Sequence, residues 1–325
     1  MHDDTEHDDT EQQEEPVAAE EVDRAGDDGL GAAADDAAPT SDGDVTMRVW
    51  RGDPGGGEFV EYQLPNQEGE VVLDVIHRLQ ASDAPDLACR WNCKAGKCGS
   101  CSAEINGRPR LMCMTRMDEL PAGPVTVAPM RTFPIIRDLV TDVSFNFEVA
   151  KTVPAFSPMP EPADGYRMQQ IDIERGQKFR KCIECFLCQD VCHVIRDHEE
   201  NKAHYAGPRF FIRFAELEMH PLDTNDRREL VRKRAGLGFC NITKCCTEVC
   251  PEHIKITDNA IIPMKERVVD ASYDPLGWLG RTIMRRSKRS PEEAVAIARS
   301  GGSAPHEASD EPSDEPSGEA ASAEA

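Results

Sequence analysis

The feature that most constrains this chain is a pair of cysteine runs that cannot be satisfied separately. In Lys181–His193 the cysteines Cys182, Cys185, Cys188 and Cys192 stand at the spacing C-x2-C-x2-C-x3-C. An iron-sulfur cube needs several soft thiolates on one small surface, and two-residue gaps let a tight loop turn successive sulfurs inward. The fourth cysteine of such a run ligates a second cluster, so the run predicts its own partner. That partner is Cys240-Asn241-Ile-Thr243-Lys-Cys245-Cys246-Thr-Glu-Val-Cys250-Pro251, with the same spacing and Thr243 where the second cysteine is due. Cross-ligation then assigns Cys182, Cys185, Cys188 and Cys250 to a 4Fe-4S cluster and leaves Cys192, Cys240 and Cys246 for another. A threonine hydroxyl is a poor ligand for iron beside thiolates. The second site is therefore expected to hold a 3Fe-4S cluster. Structural zinc is the competing reading, disfavoured because zinc takes four ligands in paired short spacings whereas this pattern interleaves seven.

A third group lies upstream. Cys93, Cys98, Cys101 and Cys113 are spaced C-x4-C-x2-C-x11-C, the plant-type pattern for a 2Fe-2S cluster. Gly96 and Gly99 fall among the first three, where a loop wrapping a cluster needs left-handed backbone and amides close to sulfur. Cys89 and Cys245 stand outside these registers and read as small buried thiols. All three groups are expected to bind iron through the named cysteines.

Grouped cysteines without an export signal read as metal ligands in a reducing compartment rather than as a disulfide framework. The chain has 325 residues, which suits two domains. Its net charge of -23 belongs to the ends: residues 1–44 hold 17 Asp/Glu against one Arg, and residues 300–325 hold seven with no Lys or Arg. What remains is neutral, so no basic surface for nucleic acid is expected. Both ends are poor in large apolar residues and are expected to be disordered tails. No apolar run approaches the roughly 18 residues of a spanning helix, so the chain is expected to be soluble by itself.

Met47–Trp50 and Phe59–Leu64 alternate apolar and polar residues across a Gly/Pro-rich turn, which predicts a hairpin. Val71–Leu79 has helical spacing. Ser102–Leu111 predicts a second hairpin with Asn106-Gly107 at its turn, and Val125–Val127 a further strand. Pro134–Val140 reads as a short helix closing this part, and the proline-rich stretch from Lys151 to Asp164 reads as a connector. Helices are then predicted over 165–179, 208–219, 227–235 and 258–269. The expected divisions are 1–44 acidic tail, 45–142 2Fe-2S domain, 143–164 linker, 165–285 helical domain, and 286–325 basic end and acidic tail.

Taken together, the eleven cysteines in register over residues 45 to about 285 resemble the iron-sulfur subunit of succinate dehydrogenase or fumarate reductase. The runs Cys-Ile-Glu-Cys-Phe-Leu-Cys-Gln-Asp-Val-Cys-His and Gly-Phe-Cys-Asn-Ile-Thr-Lys-Cys-Cys-Thr-Glu-Val-Cys-Pro are similar to those of a branch found in archaea and actinobacteria. The resemblance implies an α+β protein: an N-terminal β-grasp, plant-type 2Fe-2S ferredoxin domain followed by an all-α ferredoxin-like domain. It also implies a peripheral subunit on the cytoplasmic face of the cell membrane, docked on a flavoprotein subunit that carries FAD and on an integral membrane anchor. Electrons would run from flavin through 2Fe-2S, 4Fe-4S and 3Fe-4S to quinone. The chain has no dinucleotide fingerprint and no nucleophile with a nearby base, so no catalytic residue is assigned to it.

Two departures bear on the quinone. Ubiquinone-using members of the family tend to carry a tryptophan and a histidine where this chain has Asp197 and Asn241, which favours menaquinone. His193 stands where many members have proline. His193, Asn241 and Thr243 are the candidate quinone-side residues, with a local structural histidine as the competing reading of His193. The basic run over 281–289, after Trp278 and Leu279, reads as a lipid-facing segment or a solvated helix end. Fumarate reduction in the opposite direction and a free ferredoxin-like carrier are the alternative functions.

Overall fold

The computed structural model describes residues 43–273; the expectations for the two tails, for Trp278 and Leu279 and for the run over 281–289 lie outside the described residues. The first half is built on β1 (Asp44–Asp53) and β2 (Gly56–Pro65), paired antiparallel along their full length with Trp50 opposite Phe59. Alternation places Val45, Met47 and Val49 of β1 in the core. Helix α1 (Val72–Ala81) follows, and the Asp74 carboxylate accepts a hydrogen bond from the Val71 amide at its start. Its Val72, Leu73, Val75, Ile76 and Leu79 are all buried against the sheet.

Strands β3 (Ser102–Ile105) and β4 (Arg108–Leu111) form the second hairpin. Asn106 and Gly107 both take positive φ at its turn, 48° and 73°, which a two-residue turn matching the strand twist requires. Strand β5 (Val125–Ala128) returns parallel to β1, giving the sheet order β2-β1-β5-β3-β4. This mixed sheet with α1 packed on it is the β-grasp arrangement.

The short helix predicted over 134–140 is instead a hairpin of β6 (Ile135–Arg137) and β7 (Val140–Thr141). The cause is Asp138. Its φ of 47° turns the chain back, and its buried carboxylate accepts from the Gly52 amide, the Ala88 amide and Arg51 Nε at 2.8–3.1 Å. Three long-range hydrogen bonds outweigh the local helical periodicity. Helix α2 (Ser144–Lys151) then lies within the stretch read as a linker, and residues 152–169 form no regular element beyond a bridge from Pro158 to Asp223.

The second half is helical: α3 (Gln170–Arg180), α4 (Leu187–Asp190), α5 (His193–Arg196), α6 (Pro208–Glu218), α7 (Arg228–Lys233), α8 (Cys245–Glu248) and α9 (Ile262–Tyr273). Helix α9 is entered through a π-helical turn, Ile256–Ile261, a local widening common near functional sites. Helix α6 is the centre of this half. Phe210, Phe211, Ile212, Phe214 and Ala215 are buried, each large side chain contributing about 1.5–3 kcal/mol on transfer from water. Its start is fixed by Gly207, where a Cβ would stand 1.9 Å from Gln189 Oε1, and by Pro208 in the first turn.

The organising stretch joins the two halves. Cys185, Phe186 and Leu187 pack into the core of the first half, while Cys188 and Cys192 pack into that of the second. Among the described residues, no helix is long and apolar enough to cross a membrane.

Candidate iron-sulfur centres

None of the thirteen cysteines forms a disulfide, and eleven of them lie on the loops that the spacing singled out. In the first group the loop between α1 and β3 carries Cys93, Cys98 and Cys101, and Cys113 follows β4. The Met112 amide bonds the Cys101 carbonyl at 3.0 Å, so strand pairing returns Cys113 to the loop. The amides of Ala95 and Lys97 donate to Cys93 Sγ at 3.4 and 3.3 Å, as expected around a metal-bound thiolate. Burial opposes ionisation of Cys98, but hydrogen bonds from Ser100 and Cys93 outweigh it and hold the thiol down at about 7. Burial, with Cys113 alongside, pushes Cys101 up to about 12. Cys93 is exposed, so one edge of this group faces outward.

Cys182, Cys185, Cys188 and Cys250 line a single small cavity. Its walls are otherwise apolar, from Ile183, Phe186, Ile212, Pro251 and Ile256, apart from Glu252 and the Arg209 side chain. Burial raises the Cys182 thiol despite the charge of Arg209, pushes Cys185 to about 12 and sets Cys188 well above its ordinary value. The Ile254 amide donates to Cys250 Sγ at 3.4 Å. Arg209 was not singled out from the sequence. The available signal was a cation in the first turn of an apolar helix, where the helix dipole disfavours it.

Cys192, Cys240 and Cys246 form the third group. Burial pushes Cys192 up to about 11, with Cys245 and Cys240 adding to it, and pushes Cys246 to about 12, with Cys245, Cys192 and Cys240 adding. The Cys192 thiol donates to the Tyr205 hydroxyl at 3.8 Å, and Cys246 Sγ lies 3.6 Å from Thr257 Oγ1. Cys245, read as a buried bystander, is half-buried and lies 3.5 Å from Thr243 Oγ1. Cys89 is half-buried against the first core, its thiol pushed to about 12 by burial.

The two later loops share one backbone course. Left-handed Glu184 and Phe186 flank Cys185, and left-handed Ile242 and Lys244 flank Thr243. A four-residue helix then follows in each, α4 and α8. Thr243 therefore holds the backbone place that Cys185 holds in the first run. Asn241 and Thr243 are exposed and His193 is half-buried at the start of α5. Phe239 and Ile242 on the same loop are exposed too.

The donors fit iron-sulfur groups. Burial raises the Cys101, Cys182, Cys185, Cys188, Cys192 and Cys246 thiols, and a polycationic centre would stabilise them as thiolates; backbone amides point at Cys93 and Cys250.

A β-grasp half with one cysteine loop, joined to a helical half with two interleaved ones, defines a multi-centre iron-sulfur electron-transfer protein. Residues 46–148 match the 2Fe-2S iron-sulfur cluster binding domain and residues 178–254 the 4Fe-4S dicluster domain. The chain is 32% identical over 203 residues to the fumarate reductase iron-sulfur subunit of Mycobacterium tuberculosis, spanning 60% of this chain and 80% of that one. It is 31% identical over 210 residues to the succinate dehydrogenase iron-sulfur subunit of Bacillus subtilis, spanning 61% and 81%. A chain of the solved Mycobacterium smegmatis Sdh1 complex in the apo form is 68% identical, with a TM-score of 0.70 over 72% of this chain and 99% of that one. The chain belongs to the family of iron-sulfur subunits of succinate dehydrogenases and fumarate reductases, and its role is electron transfer.

Proposed function

We propose that this chain is the iron-sulfur subunit of a succinate:quinone oxidoreductase, with the 2Fe-2S half over 45–142 and the cubane half over 165–285. Cys93, Cys98, Cys101 and Cys113 hold a 2Fe-2S cluster. Cys182, Cys185, Cys188 and Cys250 hold a 4Fe-4S cluster, and Cys192, Cys240 and Cys246 a 3Fe-4S cluster. When bound, these groups supply one-electron carriage, in that order, between a two-electron flavin and a quinone. The chain's own residues fix the spacing, keep water from Cys188, Cys192 and Cys246, and leave the outer edges of the first and third groups open to partners.

The observation that carries the reading is contiguity. A Cβ on Gly99, in the first loop, would lie 2.5 Å from Cys185 Cα, and α4 separates Cys188 from Cys192 by a single turn. The three groups thus follow one another without intervening structure. The flavoprotein partner, which carries FAD, docks at the exposed Cys93 edge. The membrane anchor and the quinone, menaquinone in this reading, meet the loop bearing Asn241 and Thr243, with His193 on the same side. The subunit sits peripherally on the cytoplasmic face of the membrane.

Succinate oxidation is favoured as the direction by the 68% identity to a chain of an Sdh1 complex. Fumarate reduction is the second reading, supported by the M. tuberculosis relative. Isolation of the chain with its partners tests both: a flavoprotein and an apolar anchor should co-purify, and succinate-dependent menaquinone analogue reduction should exceed the reverse rate. A chain isolated alone overturns the membrane reading, and a faster reverse reaction overturns the direction.

A further inference from the structure

Arg209 occupies a place that costs stability unless something negative faces it. It is the second residue of α6, where the helix N-terminus is positive and a cation is disfavoured. Only 9% of its surface remains exposed, and a buried guanidinium must be compensated. Its Nη2 is paired with Glu184, but its Nε is buried without a hydrogen-bond partner. The side chain borders the cavity that Cys182, Cys185, Cys188 and Cys250 line. Glu184 belongs to the loop between Cys182 and Cys185, and its left-handed backbone, φ 56°, helps to set that loop.

A cluster held by four thiolates gains one negative charge when it is reduced. A fixed cation beside it stabilises the reduced state more than the oxidised one, and in a site of low dielectric that difference is not screened away. Glu184 has two opposed effects: it anchors the guanidinium and subtracts from its field. The Glu184 side chain is more than half exposed, so the solvent weakens its contribution relative to that of the buried cation.

We infer that Arg209 is a positioning residue of the first cubane site, an outer cation that raises the reduction potential of the cluster there, with Glu184 as its opposing, solvent-facing arm. This rests on the ligand assignment proposed above.

The test is a redox titration of the protein isolated with its partners, following the paramagnetic signal of the reduced 4Fe-4S centre. Arg209→Gln should lower the equilibrium constant for reduction about tenfold, about 59 mV for one electron. Glu184→Gln should move it the other way by a smaller factor, and Arg209→Lys should keep most of the native value. A packing role alone would not produce shifts of opposite sign. An unmoved potential in Arg209→Gln with the cluster retained, or shifts of the same sign in Arg209→Gln and Glu184→Gln, overturns the role. If Arg209→Gln loses the cluster, the Lys and Glu184 variants decide by the same signs. Absence of a reduced four-iron signal in the native protein overturns the ligand assignment and this role with it, whereas the signal with unmoved potentials overturns only the role.

Discussion

The Ser102 hydroxyl donates a hydrogen bond to the Cys185 carbonyl at 2.8 Å, across 83 residues of sequence. Ser102 directly follows Cys101, and Cys185 lies in the next cysteine group, so one bond ties two cluster loops together. The Gly99 carbonyl, 2.9 Å from the same hydroxyl, shares its single hydrogen. Ser102→Ala leaves buried acceptors unmatched and should cost about 1–3 kcal/mol, seen as a lower unfolding temperature with both clusters still present.

Gly99→Ala should be far more damaging. Gly99 has φ of 68° and no room for a Cβ against Cys185. The two loops must separate, so magnetic coupling between the 2Fe-2S and 4Fe-4S centres should weaken and electron passage between them should slow at least tenfold. Freeze-quench spectroscopy after reduction by succinate measures it.

Thr243→Cys supplies a thiolate at the backbone place matched by Cys185. The nearly isotropic signal expected from a 3Fe-4S centre in the oxidised protein should disappear, with one further iron bound per chain. An unchanged signal would show that Thr243 does not mark the open corner.

Asp138 holds the β6-β7 turn through three hydrogen bonds. Asp138→Ala should lower stability by about 2–4 kcal/mol by orphaning buried donors and removing a residue that tolerates positive φ. Asp138→Asn, which tolerates that φ and keeps an acceptor oxygen, should recover part of the loss in thermal unfolding.

His77 gives a pH dependence with a defined sign. Burial lowers its pKa, and Lys94 adds to the effect; its Nε2 is buried without a hydrogen-bond partner and its ring meets Trp91 edge-on at 4.8 Å. The folded state therefore binds a proton less readily than the unfolded chain, whose imidazole titrates near its ordinary 6.5. The stability is fully present above that value and is lost as pH falls through the window between 6.5 and the depressed folded pKa. His77→Asn should flatten this part of the profile, read as a smaller drop in unfolding temperature between pH 7.5 and 5.5 than in the native protein.

The two iron-sulfur domains, and the cavity shared by Cys182, Cys185, Cys188 and Cys250, were legible because metal coordination imposes spacing directly on sequence. The hairpin turn at Asn106-Gly107 and the apolar stripe of α6 were legible for similar local reasons. The β6-β7 hairpin was not, because Asp138 is fixed by groups from β1 and Ala88, distant in sequence. Arg209 was hidden likewise: its importance lies in facing sulfurs that come from 182–188 and from 250. Helix α2 escaped because its moderate pattern over Ser144–Lys151 runs into prolines, and α3 begins at Gln170 rather than at Gly165, whose φ of 79° belongs to a turn.

The central claim is that this chain conducts electrons through three iron-sulfur groups of different size. Iron and acid-labile sulfide analysis of the anaerobically isolated protein tests it most directly. About nine irons and about ten sulfides per chain are predicted for 2Fe-2S, 4Fe-4S and 3Fe-4S groups together. Zinc bound at the cysteines, with sulfide absent, would contradict it.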